Sequence, residues 1–185
     1  MENKFGHIMV DLETMSTNPG AAILSIGAVE FNMVTGDTGK EFYCNVDLQS
    51  CIDIGLDIEA KTIMWWLRQS YEAREKLATT KGDLLQKALV DFGKFVEECG
   101  GQEVEIWGNG PTFDLTNLAI AYQKTSLAKP WNFSKERCVR TLVSQWPYIK
   151  SMTKFQGVLH DALADCHHQI KYCSATYRKI HRLDE

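Results

Sequence analysis

Within its first 46 residues the chain places three apolar segments separated by turn residues; beyond them the apolar spacing changes from that of strands to that of helices. No other feature limits the fold as strongly. Residues 7–12 form a short apolar run, and residues 21–31 (AAILSIGAVEF) a longer one rich in branched and aromatic side chains, so both are expected to be strands. Thr35-Gly36-Asp37-Thr38-Gly39 is a turn signal, and residues 41–46 return as the next strand of a hairpin. Residues 59–69 then carry Ile63, Met64, Trp66 and Leu67 at helical spacing. Asp83 is expected to cap a helix running to about Cys99, with Leu84, Leu85, Leu89, Phe92 and Val96 on one stripe and Gly100-Gly101 ending it. A strand at 104–107, a helix at 113–124, a short last strand at 137–142 and a long helix at 162–182 complete the pattern. Strands first, then alternation with helices, predicts an α/β fold: a mixed sheet flanked by helices, in one domain spanning residues 1–185.

Composition narrows the class of protein. Apolar residues make up 44% of the chain and charged residues 24%, the balance of a soluble globular domain. No apolar run nears the ~20 residues of a membrane helix, and Met1-Glu2-Asn3-Lys4 leads directly into the first strand with no signal peptide. A cytoplasmic protein with no membrane partner is therefore expected. The six cysteines (44, 51, 99, 138, 166 and 173) form no Cys-x-x-Cys pair, so reduced, partly buried thiols are expected rather than disulfides or a zinc site. A net charge of −4 argues against a broad basic face for nucleic acid. Setting aside the four carboxylates discussed next brings it to zero, so charge alone does not decide the matter.

Three short stretches carry the chemistry: Asp11-Leu12-Glu13-Thr14, Asn109-Gly110-Pro111-Thr112-Phe113-Asp114, and His160-Asp161-Ala162-Leu163-Ala164-Asp165. Asp11 and Glu13 lie two apart on a strand, so both point to one face and can share a metal ion. A D-x-E pair also arises by chance at a solvated strand end. Asp114 follows a turn and opens a helix, where helix capping is the ordinary role of Asp; Phe113 beside it is expected to pack in the core. His160 and Asp165 are five apart, about 140° around a helix, and cannot share a face. The arrangement that satisfies both puts His160 in a loop, Asp161 at the cap and Asp165 in the first turn. His160 can then reach an attacking water with a pKa naturally near neutrality. His7, His167, His168 and His181 have no such context and read as structural or solvated. Four carboxylates in one place repel one another, and hard oxygen ligands favour Mg²⁺ or Mn²⁺. Two such ions would balance Asp11, Glu13, Asp114 and Asp165. With an imidazole nearby, that is the equipment of two-metal phosphodiester hydrolysis.

Taken in order, D-x-E, then Asn shortly before Asp, then H-x-x-x-x-D, the set resembles the DEDD superfamily of 3′–5′ exonucleases with a ribonuclease H-like fold. His in the third motif, where other branches have Tyr, makes it similar to the DEDDh branch. Trp65-Trp66 followed by Gln69, and Trp107-Gly108-Asn109-Gly110, resemble the compact group related to phage exonuclease A and a mycobacterial exoribonuclease. The first motif continues Thr14-Met15-Ser16, where proofreading-type relatives continue Thr-Thr-Gly. The resemblance implies that Asp11 bridges two divalent cations, Mg²⁺ or Mn²⁺, about 3.5–4 Å apart. Glu13 and Asp165 would complete the ion that holds the nucleophilic water, Asp114 would support the other through water, and His160 would act as base. The partner implied is a single-stranded nucleic acid 3′ end, shortened by one nucleoside 5′-monophosphate at a time.

Thr14 and Met15 are then candidate contacts to the terminal nucleotide, and Trp65 or Trp66 can stack on a base at ~1–3 kcal/mol. Both tryptophans as core is the competing reading, although two adjacent helical residues cannot both face inward. Tyr148, Lys150, Lys154 and Phe155 read as a solvated connection before His160. A homodimer is expected from the resemblance and from the apolar cluster Met64-Trp65-Trp66. Two rival functions remain at this level: a catalytically silent binding module on the same fold, and an internally cutting ribonuclease H-like endonuclease. A metal-dependent nuclease assay separates the first, and a circular single strand separates the second. No motif reports whether the substrate is DNA or RNA.

Overall fold

The computed structural model describes residues 5–79 and 81–183. Residues 1–4, expected to lead directly into the first strand, lie outside the described residues, as do Thr80, Asp184 and Glu185. Three strands open the chain: β1 (Gly6–Thr14), β2 (Ile23–Asn32) and β3 (Thr38–Asn45). Four helices follow, α1 (Leu48–Asp53), α2 (Ala60–Trp66), α3 (Tyr71–Thr79) and α4 (Leu85–Glu98). Next come β4 (Glu105–Gly108), α5 (Asp114–Lys124), β5 (Glu136–Cys138), α6 (Val139–Val143), α7 (Pro147–Met152) and α8 (Ala162–His181). The sheet has the order β3-β2-β1-β4-β5. β1 and β2, and β2 and β3, pair antiparallel, whereas β4 lies parallel to β1 and β5 parallel to β4. The C-terminal ends of β1, β4 and β5 therefore lie side by side.

Both faces of the sheet are covered, which is why β2 is a nearly unbroken buried run rather than an alternating one. Ile8, Val10 and Leu12 join one core with Leu85, Leu89 and Phe92 of α4 and Leu118 and Tyr122 of α5. Met9 belongs to the other, with Val139 of α6 and Cys166, Ile170 and Tyr172 of α8. Strand alternation then puts Asp11 and Glu13, in phase with Met9, on the α8 face. Gly27, paired with Asp11 in the sheet, lets α8 come down there. A Cβ at Gly27 would stand 2.6 Å from the carbonyl carbon of Ala162 and 2.7 Å from its Cβ, so any side chain would lift the start of α8 off the strand.

Several sequence expectations are corrected. The strand expected at 137–142 stops at Cys138, whose Sγ accepts from the backbone N–H of Thr141 and starts α6. Asp83 does not cap α4: its backbone pairs with Asn45 and Asp47, and its carboxylate with Lys87, so Leu84 stands at the cap position. The helix at 59–69 ends at Trp66. Helices α1, α3 and α7 have no counterpart among the elements expected from the sequence. All six cysteines are free thiols, and burial pushes those of Cys44 and Cys99 up to about 12. Among the described residues no helix is long and apolar enough to cross a membrane.

Candidate active site

β1 delivers Asp11 and Glu13 to the α8 face at its C-terminal end, and the first turn of α8 delivers Asp165 to the same place. One carboxylate oxygen from each of the three lies within 4.8 Å of the others. Asp161 caps α8 as expected, with Oδ1 accepting from the backbone N–H groups of Leu163 (3.1 Å) and Ala164 (3.0 Å). Its other oxygen accepts from Lys76 Nζ, which also lies 3.9 Å from the Tyr43 ring centre and so ties α3 to the cap. His160 takes a left-handed backbone conformation (φ 64°) just before the cap, and its backbone N–H donates to Asp165.

Asp114 arrives differently from the capping role considered for it. Phe113 occupies the cap position of α5. The Asp114 carboxylate instead accepts from the N–H of Leu12 on β1 (3.3 Å) and of Asn109 just beyond β4 (2.8 Å). It thus stitches two parallel strands together at their C-terminal ends, beside the other three carboxylates. Gly108 makes this approach feasible, since an added Cβ there would sit 3.2 Å from Asp114 Cβ and Oδ2. Phe113, expected in the core, is half-buried where two cavities meet.

The first cavity, about 220 Å³, is walled by Asp11, Glu13, Asn109, Asp114, Arg140, His160 and Asp165. The second, about 470 Å³, continues from it past Glu13 and Phe113 and is lined by Thr14, Thr17, Lys61, Trp65, Trp66 and Arg68. A larger cavity of about 540 Å³ lies at the other end of β1. Four of the polar groups lining it pair with one another: Arg137 donates to Glu105, and Trp107 to His7.

Burial and crowding load this site. Burial raises the Asp11 carboxyl well above its usual range, and the charges of Asp114, Glu13 and Asp165 add to that. Burial, then Asp165, Asp114 and Asp161, push Glu13 up to about 8. Asp114 rises to about 6 because burial outweighs its two backbone donors and the nearby Arg140. Asp165 also rises to about 6 through burial, opposed by the His160 N–H. Burial lowers the His160 imidazole, which favours its neutral form. The carboxylates fit a divalent cation. Among the described residues buried Asp165 Oδ2 has no hydrogen-bond partner, and neither has buried Asn109 Oδ1, so hard acceptors are left open beside the cluster.

The two tryptophans divide. Trp66 is buried, and its Nε1 donates to the Thr14 carbonyl (2.9 Å), fixing the backbone where β1 ends. Trp65 is 40% exposed and meets His160 edge-on at 4.7 Å between ring centres. Met15 does not line either cavity: backbone bonds to Ala22 and Glu59 hold it, and its partly buried side chain packs against the core. Thr14 does line the second cavity. Of the expected solvated connection, residues 147–152 are helical, Lys150 lies over the Tyr172 ring and Phe155 meets His168. None of His7, His167, His168 and His181 lines the carboxylate cavity.

Sequence reading missed Gln169, whose Nε2 donates to Asp11 Oδ1 at 2.7 Å. Its place four residues after Asp165, on the same helix face, was the available signal. It also missed Asn117, whose buried Oδ1 accepts from Gly20 (2.8 Å) and Ala21 (3.0 Å) and fixes the loop after β1. Arg140 had no sequence signal.

Residues 6–177 match the family model of the Rv2179c-like 3′–5′ exoribonuclease domain. The chain belongs to this family. It is accordingly a hydrolase of the 3′–5′ exonuclease type, and its sheet and helices are those of the DEDDh exonucleases. An exodeoxyribonuclease of Enterobacteria phage T4 is 24% identical over 195 residues, covering 85% of this chain and 83% of the phage protein. The fold is similar to the nuclease domain of 3′hExo, a DEDDh family member bound to rAMP (TM-score 0.66, 15% identity, 93% of this chain and 91% of that one). It is also similar to E. coli ExoI in its zinc-bound complex with single-stranded DNA (TM-score 0.66, 14% identity, 96% of this chain and 41% of that one). S. pombe Pop2p in its Mg²⁺- and Mn²⁺-bound form shares the fold as well (TM-score 0.60, 11% identity, 97% and 85%). The carboxylate cluster and these metal-bound neighbours are together consistent with use of divalent metal.

Proposed function

We propose that this protein removes nucleoside 5′-monophosphates from the 3′ end of single-stranded DNA or RNA, using two divalent cations, Mg²⁺ or Mn²⁺. The observation that carries this reading is the close approach of Asp11, Glu13 and Asp165 in a cavity that His160 also lines, with an open pocket adjoining them. Asp11, Glu13 and Asp165 hold the metal, and Asp114, engaged with two backbone N–H groups, supports it from the β4 side. Bound divalent cations supply Lewis acidity toward the phosphodiester and its attacking water. His160 accepts the proton of that water. The second cavity takes the terminal nucleoside, with Thr14 and Trp65 among its lining and the Trp65 ring available to stack on the base.

Digestion of matched end-labelled DNA and RNA strands, with each metal, tests the reading. Mononucleotides should appear from the first time point, and a circular strand should resist. Asp11→Ala and Asp165→Ala should abolish hydrolysis; near-normal turnover in either variant rules the assignment out. The family name points to RNA and the phage relative's to DNA, so both strands belong in the assay. We also propose a homodimer. Ile63, Met64 and Leu67 stand exposed along α2, an apolar stripe that a second copy would cover. Sedimentation showing a monomer at micromolar concentration would end that idea.

A further inference from the structure

Only one residue lining the carboxylate cavity carries a permanent positive charge, and the scheme above gives it no task. Arg140, in the first turn of α6, forms part of the wall together with Asn109 and Asp114. Its guanidinium lies against the turn after β4: its central carbon and Nε would be 3.7 and 3.8 Å from a Cβ on Gly110. Four acidic groups share the cavity, yet among the described residues Arg140 forms no ion pair or side-chain hydrogen bond. The Asp114 oxygens in the same wall accept from the amides of Leu12 and Asn109 rather than from Arg140. A guanidinium left unpaired at the mouth of an acidic cavity is suited to an anion that arrives from outside.

We infer that Arg140 holds the first phosphate upstream of the scissile bond, on the part of the strand that is retained. Sheet order supports this choice. The terminal-nucleoside pocket adjoins the end of β1, whereas Arg140 follows β5, two strands along the sheet, and lines the carboxylate cavity but not that pocket. A strand whose last nucleoside fills that pocket and whose last phosphodiester lies over Asp11 then has Arg140 beside Asn109 and Asp114 on the cavity wall that the pocket does not share. Two divalent cations balance four carboxylates and leave nothing over for the phosphates of the strand, and Arg140 adds a positive charge there. The inference rests on the exonuclease reading above.

Two substrates separate the roles: a single-stranded oligonucleotide, and the p-nitrophenyl ester of thymidine 5′-monophosphate, which has a scissile phosphate but no upstream nucleotide. For Arg140→Met, kcat/KM on the strand should fall ~10–100-fold, the range of a lost charge-assisted contact, and at least tenfold further than on the ester. Strand binding, followed by fluorescence anisotropy in a His160→Ala background, should show a salt slope shallower by about 0.7, one phosphate contact on a single strand. Arg140→Lys keeps the charge without the fork; it should retain the slope and recover part of the rate, and it carries the test if the Met variant folds poorly. Equal losses on both substrates, no loss on the strand, or an unchanged salt slope would overturn the assignment while leaving the exonuclease reading intact. A wild-type protein that cuts neither substrate with Mn²⁺ overturns both.

Discussion

Replacing Glu13 with Gln should stabilise the metal-free protein, by an amount that depends on pH in a defined way. Glu13 is buried, and its carboxyl is pushed from 4.5 up to about 8 by burial and by Asp165, Asp114 and Asp161. A tenfold change in proton affinity corresponds to ~1.4 kcal/mol, so keeping Glu13 ionised costs at most about 5 kcal/mol. Neighbouring carboxyls can take up protons in its place, which reduces the gain expected from Glu13→Gln to about 2–4 kcal/mol. For a raised acid, the native state incurs no penalty below the unfolded pKa, and stability is lost as pH rises through the folded one. The variant and the parent should therefore melt together near about pH 4.5 and diverge steadily up to about pH 8. At ~2–4 °C per kcal/mol for a domain of this size, the divergence should reach about 5–12 °C in the presence of chelator. Added Mg²⁺ or Mn²⁺ should raise the melting point of the parent more than that of Glu13→Gln. A gain that is the same at both ends of the pH range, or a less stable variant at alkaline pH, would show that the cluster is not the strained feature described here.

His160→Ala should lose ~10²–10⁴ in rate while still binding metal and strand. Because burial lowers this imidazole, the acid limb of the parent's rate profile should fall below ~6.5, and the variant should lack it; an unchanged limb moves the base role elsewhere. Trp65→Leu removes both the exposed ring in the nucleoside pocket and the edge contact to His160, so KM should rise and kcat fall together, whereas a pure stacking role would move KM alone. Asn117→Ala leaves two backbone N–H groups of the loop after β1 without an acceptor and should cost ~1–3 kcal/mol in chemical denaturation. A loss of less than about 0.5 kcal/mol would mean that the loop is held by its other bonds.

The sequence by itself determined the three N-terminal strands, the long last helix and the order of the acidic motifs. Each of these is local: apolar period, a turn of Gly and Asp, an Asp three residues before a helical N–H, and two carboxylates in phase on one strand. The loop position of His160 and the capping role of Asp161 followed from helix angle alone. Where local signals competed, the sequence misled. Val139 and Thr141 look like strand residues, but Cys138 caps a helix there; Asp83 looks like a cap, but the backbone of Asn45 claims it for the sheet edge. The fourth carboxylate was legible as a motif but not in its bonding, since the N–H groups of Leu12 and Asn109 reach it only when β1 and β4 pair in parallel. Tertiary structure alone decided which tryptophan is buried and which exposed, that Met15 packs partly against the core, and that Gln169 donates to Asp11. It also decided that Arg140 lines the carboxylate cavity without an ion pair among the described residues, while Trp65 lines the adjoining one. Those contacts join residues far apart in the chain, and they exist only because Gly27 lets α8 rest on the sheet and the parallel pairing of β4 and β5 aligns three strand ends.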